Sequence, residues 1–174
     1  MRKIFLCLNL IVFLIASSSS TSSAQVKIIF DTDIGGDADD LATMAMFHAF
    51  IDRGECELLG IACWSTEEFA VPALDAINRF YGHPDIPIGT RKEATHRNPE
   101  NYSKPIADRF EYKLTAKDAP DATDLYRKIL AEAEDKSITI VTVGPLFNIM
   151  ALLKSEADEF SVLNGNNLIQ KKVK

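Results

Sequence analysis

Five aspartates lie within ten consecutive residues of this 174-residue chain, where residues 31–40 read DTDIGGDADD. Two like charges about 4 Å apart repel by roughly 4 kcal/mol at an effective dielectric constant of about 20. A fold that gathers these carboxylates must therefore supply a cation or raise their pKa values. The two glycines permit a tight turn that would bring the carboxylates together. Oxygen ligands without nearby histidine or cysteine favour Ca²⁺ or Mg²⁺ over zinc, so the cluster predicts a divalent-cation site.

Helix capping and an EF-hand loop are two alternative explanations of the cluster. Asp39 and Asp40 precede a predicted helix, where carboxylates are favourable, so capping would account for one or two of the five aspartates. An EF-hand fails on spacing, because a loop starting at Asp31 would place Gly35 at its fifth position and Ala42 at its twelfth. Helix capping therefore stays open as the structural alternative to a metal site.

The elements that must position these aspartates alternate along the chain between strands and helices. Short apolar runs rich in β-branched residues predict strands, and longer apolar or amphipathic stretches predict helices. The predicted strands are residues 26–30, 57–62, 85–89 and 137–143, and the predicted helices are residues 39–53, 67–81, 121–134 and 146–154. This alternation indicates parallel strands joined by right-handed crossovers. We therefore expect an α/β fold, a Rossmann-like, mostly parallel sheet with helices on both faces.

In folds of this kind, ligands bind at the carboxyl ends of the strands, here after Phe30, Ala62 and Val143. The aspartate cluster follows the first of these strand ends directly. Residues 90–120 carry mixed charge, three prolines and little periodicity. A connection of that length predicts either a functional loop or structure that the sequence pattern does not reveal.

The first 24 residues have the pattern of a cleavable secretory signal. Two basic residues are followed by an apolar run over residues 4–16 and a serine tract that ends before Ala24. The apolar run is shorter than the roughly 20 residues that a membrane-spanning helix needs. We therefore expect a secreted or periplasmic protein with a folded domain at residues 25–174 and no membrane attachment once the signal is removed.

The composition is that of a globular protein, with 47% hydrophobic and 25% charged residues. The net charge is −6 and no long basic run occurs, which argues against nucleic acid or an anionic membrane surface as a partner. Cys56 and Cys63 lie on one predicted strand, about 23 Å apart at roughly 3.3 Å per residue. That separation excludes a disulfide between them.

The predicted first strand with DTDIGGDADD resembles the N-terminal motif of the inosine–uridine-preferring nucleoside hydrolases, which read D-x-D-x-G-x-D-D after their first strand. Residues 140–148, IVTVGPLFN, are similar to the strand-x-G-P-L-T-N segment of the same family. The resemblance covers about residues 26–165. It implies an enzyme that cleaves the N-glycosidic bond of ribonucleosides with a Ca²⁺-bound water.

The same resemblance implies Ca²⁺ ahead of Mg²⁺ as the cofactor, and a nucleoside or related ribosyl small molecule as the partner. Members of the family tend to form dimers and tetramers, which makes a homo-oligomer a further possibility. Carried over by position, Asp33 would bind the metal and act as general base. Asp40 and the backbone carbonyl of Val143 would bind the metal, and Asp39 would contact the ribose hydroxyls. Two additional residues precede the Asp39–Asp40 pair, so Asp37 is an alternative to Asp39.

Other residues near the predicted strand ends have two interpretations each. Trp64 would stack on a nucleobase or pack in the core, and Asn148 would contact substrate or stabilise a helix start. Phe147 stands where the family carries threonine, a departure that bears on substrate details more than on the metal. His48 lies on a helix that is apolar on nearly every face and is expected to be a packed core residue. His96 is expected to be an exposed loop residue, with a leaving-group acid as the alternative.

Family members run to about twice the length of residues 25–174, and their C-terminal half supplies another metal-binding aspartate and a histidine near the leaving base. We therefore expect this chain to be the N-terminal portion of that fold, with little activity on its own. Two other functions stay open. Asp31 and Asp33 also resemble the aspartate pair of haloacid-dehalogenase-type Mg²⁺ phosphohydrolases, although Gly35 stands where those enzymes carry threonine or valine. A non-catalytic Ca²⁺-dependent sugar-binding module would use the same metal without cleaving a bond.

Overall fold

The computed structural model describes residues 25–92 and 102–174, and within these two ranges four parallel strands form one sheet. The strands are β1 (Val26–Thr32), β2 (Cys56–Cys63), β3 (Ile88–Thr90) and β4 (Ile138–Thr142), in the spatial order β3-β2-β1-β4. The helices are α1 (Asp39–Asp52), α2 (Ala70–Phe80), α3 (Ser103–Arg109), α4 (Ala122–Glu132), α5 (Phe147–Lys154) and α6 (Gly165–Lys172). None of these described helices has the length and apolarity needed to cross a bilayer. The expected Rossmann-like α/β fold is confirmed, whereas the predicted signal sequence and His96 lie outside the described residues.

The central strand β1 is paired on both sides, with β2 along one edge and β4 along the other. Ile28 lies opposite Leu58 and Ile29 opposite Gly60, so Leu59 is an additional residue that forms a bulge in β2. After the bulge the three strands stay in register, and Asp31 lies between Ala62, next to the end of β2, and Thr142, the last residue of β4. The pairing therefore brings three carboxyl ends to one edge of the sheet.

Side chains of β1 alternate between two cores, one on each face of the sheet. Ile28 and Phe30 pack with α1 and α2, and the Phe30 ring meets the Phe47 ring edge-on at 5.2 Å between centroids. Ile29 packs on the opposite face with α4, α5 and α6, beside the buried Tyr126. Each apolar side chain removed from water in this way contributes about 1.5–3 kcal/mol. The expectation of helices on both faces is confirmed.

The predicted strands and helices all occur, with ends shifted by one to three residues, and two further helices were not predicted. One of them, α3, lies in the 90–120 segment, where its seven residues are too few to reveal a period. It is anchored at Tyr102, whose backbone N–H donates to the Gly35 carbonyl at 3.1 Å, next to the aspartate turn. The other, α6, starts at an Asn164 cap that accepts from the Asn167 N–H, and Val173 beyond it forms a single parallel bridge with Ile138.

Three residues expected to have no chemical role are buried in the cores. His48 is fully buried, and its Nδ1 lies 2.8 Å from Nδ1 of His83. Burial, reinforced by His83, lowers the pKa of His48 to about 4, so the ring is neutral at physiological pH. Cys56 and Cys63 are buried and not bonded to each other. The predictions of a packed histidine and of two free thiols are confirmed.

Arg127 on α4 fastens the connection between α5 and α6. Its guanidinium is 1% exposed, forms a bidentate ion pair with Asp158, and donates to Ser155 Oγ at 2.8 Å. It also donates to the carbonyls of Ser161 and Leu163 at 3.2 and 3.0 Å. Helix α4 therefore holds the α5–α6 connection through Arg127 on one side. On the other side its apolar residues pack against the sheet.

We expect Arg127→Lys to lower the free energy of unfolding by about 2 kcal/mol or more, because a lysine cannot reproduce several charge-assisted hydrogen bonds at once. Urea denaturation followed by circular dichroism measures the change. The matched control is Lys128→Gln on the exposed side of the same helix, which should stay within about 0.5 kcal/mol. Equal stability of Arg127→Lys and the wild type would contradict the stabilising role of the Arg127 hydrogen bonds.

Candidate functional site

The aspartate cluster occupies the turn between the end of β1 and the start of α1. Gly35 adopts a φ of 129°, a backbone conformation that residues with a Cβ rarely adopt. The Thr32 hydroxyl accepts from the Ile34 N–H at 3.2 Å and donates to Asp40 Oδ1 at 2.5 Å. One buried hydroxyl therefore ties the strand end, the turn and the helix start together.

Three of the five carboxylates converge at the start of α1. Asp37, Asp39 and Asp40 each offer an oxygen, and these oxygens all lie within 4.8 Å of one another. Such separations suit a single Ca²⁺, because Ca²⁺–O bonds of about 2.3–2.6 Å allow oxygens up to about 5 Å apart. Ala38, not an aspartate, is the N-cap residue, and no side chain among the described residues caps this helix. Helix capping therefore does not account for the cluster, although Asp39 and Asp40 lie in the first turn.

Asp40 is the buried member of this group, with no exposed surface. Burial is the main reason why its pKa is raised to about 6; the hydrogen bond from Thr32 lowers it, and the nearby Asp33, Asp39 and Asp37 raise it. Its Oδ2 is buried and has no hydrogen-bond partner among the described residues. An unsatisfied buried oxygen costs about 1–3 kcal/mol, so Asp40 is held where a cation would be favourable.

Asp33 lies across the end of the sheet, against the turn that follows β4. A Cβ atom at Gly144 would lie 2.5 Å from Asp33 Oδ1, so only glycine permits this approach. The Val143 N–H donates to the Asp31 carbonyl at 3.1 Å and holds the two strand ends side by side. Asp33 and the Gly144 turn are thus adjacent. Metal coordination by Asp33 and the Val143 carbonyl stays a prediction.

Asp31 also lies in the site, although the nucleoside hydrolase interpretation of the sequence gives this residue no role. It is fully buried, and its Oδ2 accepts from the Tyr126 hydroxyl at 2.8 Å. Burial is the main reason why its pKa is raised to about 7; Tyr126 and Asn148 lower it and Asp33 raises it. The signal in the sequence was its position two residues after Ile29, which places both side chains on the α4 face.

Aromatic and polar side chains from three strand ends meet beside the carboxylates. The Trp64 ring stacks on the Phe147 ring at 5.6 Å between centroids, and the Arg91 guanidinium lies 5.3 Å from the centre of the Phe147 ring. Trp64 is 8% exposed and Phe147 is 45% exposed, so Phe147 presents more aromatic surface. Asn148 is buried next to Asp31. Substrate contacts by Trp64 and Asn148 stay predictions. The sequence did not indicate Arg91 as part of this site, because Arg91 is far from Phe147 along the chain.

No model of a known protein family matches this chain, and no curated protein matches it either. The resemblance to nucleoside hydrolases therefore depends on the motifs at residues 31–40 and 140–148. These two motifs lie at the carboxyl ends of the neighbouring strands β1 and β4, and Asp33 contacts the turn after β4.

We expect Asp40→Asn to stabilise the metal-free protein at pH 7.5 and to have no stabilising effect at pH 3.5. The raised pKa of Asp40 means that the folded state holds its proton more tightly than the unfolded state, so ionisation between about pH 4 and 6 costs stability. Asparagine removes that cost, up to about 3 kcal/mol, and keeps an oxygen for Thr32. Urea denaturation with EDTA at both pH values measures the difference.

The matched control for this experiment is Asp85→Asn, at an exposed aspartate before β3. It replaces the same functional group far along the chain from the cluster, so its effect should be small at both pH values. A stability difference for Asp40→Asn that does not change with pH would contradict the raised pKa.

Proposed function

We propose that this chain is a Ca²⁺-dependent hydrolase of ribosyl N-glycosidic bonds, of the nucleoside hydrolase type. The observation that carries the proposal is the convergence of Asp37, Asp39 and Asp40 at the end of β1. Asp33 adds a fourth carboxylate beside the Gly144 turn of the neighbouring strand. Folds with a parallel sheet bind ligands at the carboxyl ends of the strands, and these carboxylates lie at that edge of the sheet.

The chemistry of these donors supports Ca²⁺. The group consists of carboxylates and carries no nitrogen or sulfur ligand, which favours a hard cation. The buried Asp40 Oδ2 without a hydrogen-bond partner among the described residues supports occupation by a cation. Asp33, Asp40 and the Val143 carbonyl would hold the ion, together with Asp37 or Asp39. Ca²⁺ accepts irregular sets of 6–8 oxygens, whereas Mg²⁺ demands a near-ideal octahedron, so we place Ca²⁺ ahead of Mg²⁺.

In this proposal each carboxylate has a separate task. When bound, Ca²⁺ would hold and polarise a water molecule and the ribose hydroxyls at one point. Asp33, half-buried at the strand end, would accept a proton from the attacking water. The exposed Asp39 or Asp37 would accept hydrogen bonds from the ribose hydroxyls. The bond from C1′ to the base nitrogen breaks as water adds, and the carboxylates stabilise the positive charge that develops on the sugar.

A phosphohydrolase using Asp31 as nucleophile receives less support from the same geometry. A nucleophilic carboxylate has to be ionised and has to reach its substrate. Asp31 has no exposed surface, one of its oxygens is held by Tyr126, and its pKa is raised to about 7. A Ca²⁺-dependent sugar-binding module would make the same metal and diol contacts as the proposed enzyme, so only turnover separates those two.

We expect the wild-type chain to release base from inosine and uridine slowly and Asp33→Asn to release none, because only Asp33 is proposed as both ligand and base. Asp39→Asn should mainly raise KM for the nucleoside. Base release with Ca²⁺ present and Ca²⁺ binding by calorimetry are measured together, with Asp85→Asn as the control. Wild-type turnover by Asp33→Asn would end this mechanism. Ribose binding without turnover in the wild type would favour the sugar-binding module. Cleavage of p-nitrophenyl phosphate with Mg²⁺ would favour the phosphohydrolase.

We also expect Gly144→Ala to weaken Ca²⁺ binding by about tenfold or more. The added methyl group would overlap the Asp33 carboxylate, which lies 2.5 Å from the position of that Cβ, and would displace it from the cluster. Calorimetric titration with Ca²⁺ measures the affinity. Gly82→Ala is the control for a destabilising glycine substitution outside the site, since its φ of 83° strains any residue with a Cβ although no described atom lies within 4 Å of that Cβ. Unchanged Ca²⁺ affinity in Gly144→Ala would remove Asp33 from the proposed ligand set.

A further inference from the structure

A groove of about 330 Å³ lies between the start of α4 and one face of α5. Its lining includes Arg91, Thr123, Phe147, Asn148 and Lys154. Arg91 directly follows β3, so this end of the groove lies at the carboxyl edge of the sheet, the edge that carries the aspartates. The volume is that of a site for a small organic ligand. The mechanism proposed above makes no use of it.

Two cations in the groove have no anionic partner within the described residues. Arg91 contacts the Phe147 ring, and its backbone N–H donates to the Cys63 carbonyl, but neither its guanidinium nor the Lys154 ammonium forms an ion pair there. Asp121 also lines the groove, but its Oδ1 accepts from the Thr123 N–H at 2.7 Å and caps α4. The described lining therefore carries a net positive charge on a chain whose net charge is −6.

Hydrogen-bond donors also line the groove. Asn148 is 3% exposed and lines the groove, and its buried Nδ2 has no acceptor in good hydrogen-bonding geometry among the described residues, although the amide lies close enough to Asp31 to lower the pKa of that carboxyl. It belongs to the first turn of α5, a helix of eight residues whose start at Leu146 has no side-chain cap. Free N–H groups at a helix start attract anions, and the helix dipole adds to that attraction. A buried amide, a helix start and an arginine thus converge on one end of the groove.

We propose that this end of the groove binds a phosphate, and that the substrate is a phosphorylated ribosyl compound such as a nucleoside monophosphate. The identity of the sugar rests on the proposed function, whereas phosphate binding by Arg91 and Asn148 does not. Arg91 presents a planar set of donors that matches a phosphate in bidentate fashion. Asn148 also lies beside Asp31, so a phosphate bound to Asn148 would be close to the aspartates at the end of β1.

The two cations have unequal parts in this arrangement. Arg91 lies over Phe147, whereas Lys154 is seven residues further along α5, about 10 Å away at 1.5 Å per residue. Arg91 is thus the cation at the Phe147 end of the groove and makes the direct contact in this proposal, whereas Lys154, in the last turn of α5, contributes a longer-range attraction that salt screens.

The test is calorimetric titration of the full chain with ribose, ribose 5-phosphate and inorganic phosphate, each with Ca²⁺ and with EDTA. We expect ribose 5-phosphate to bind at least tenfold more tightly than ribose with Ca²⁺, and inorganic phosphate to bind in EDTA. Arg91→Gln should weaken phosphate binding about tenfold, and Lys154→Gln by a smaller factor that vanishes at high salt. Lys128→Gln, at an exposed lysine of α4 outside this groove, is the matched control.

Equal affinities for ribose and ribose 5-phosphate, or an unchanged phosphate affinity in Arg91→Gln, would overturn the proposal. The two proposals fail in different ways. Phosphate binding that depends on Arg91 in EDTA, together with no Ca²⁺ binding, would leave the phosphate site standing and remove the hydrolase mechanism. Ca²⁺-dependent release of base from inosine without any preference for a phosphorylated sugar would remove the phosphate site and leave the hydrolase.

Discussion

Carboxylates crowded at the end of one buried strand repel one another, and the surrounding structure serves to hold them there. The Thr32 hydroxyl bridges the strand to Asp40, and Gly35 provides the backbone conformation that turns the chain between them. Burial and mutual repulsion together raise the pKa values of Asp31 and Asp40 to about 7 and 6. A protein without a use for this arrangement would gain stability by replacing the aspartates, which is the physical reason to regard the turn as functional.

Both faces of the sheet contribute to holding the carboxylates. On one face, α1 starts at the cluster and packs through Met44 and Phe47 onto β1. On the other face, α4 brings the Tyr126 hydroxyl to Asp31, while Arg127 on the same helix fastens the connection beyond α5. The cores therefore position polar atoms as well as stabilising the fold, because α1 brings the Asp40 carboxylate to the Thr32 hydroxyl and α4 brings the Tyr126 hydroxyl to Asp31.

The charges of the chain are distributed unevenly around this edge of the sheet. Carboxylates occupy the ends of β1 and the start of α1, whereas Arg91 after β3 and Lys154 on α5 face a neighbouring groove. The proposed cation site beside the proposed phosphate site would suit a substrate that carries a diol at one end and a phosphate at the other. Asn148 lies between them, close to Asp31 on one side and lining the groove on the other.

Residues close together in the chain were enough to predict the alternation of strands and helices, the parallel sheet and a cluster of carboxylates at the end of β1. They did not reveal α3 or α6, whose few residues carry no readable period. The burial of Asp31 against Tyr126, 95 residues away, and the approach of Asp33 to Gly144 follow from packing between distant segments. So does the contact between Arg91 and Phe147. Such pairs form when parallel strands bring their ends to one edge, and local patterns do not specify which distant side chains meet there.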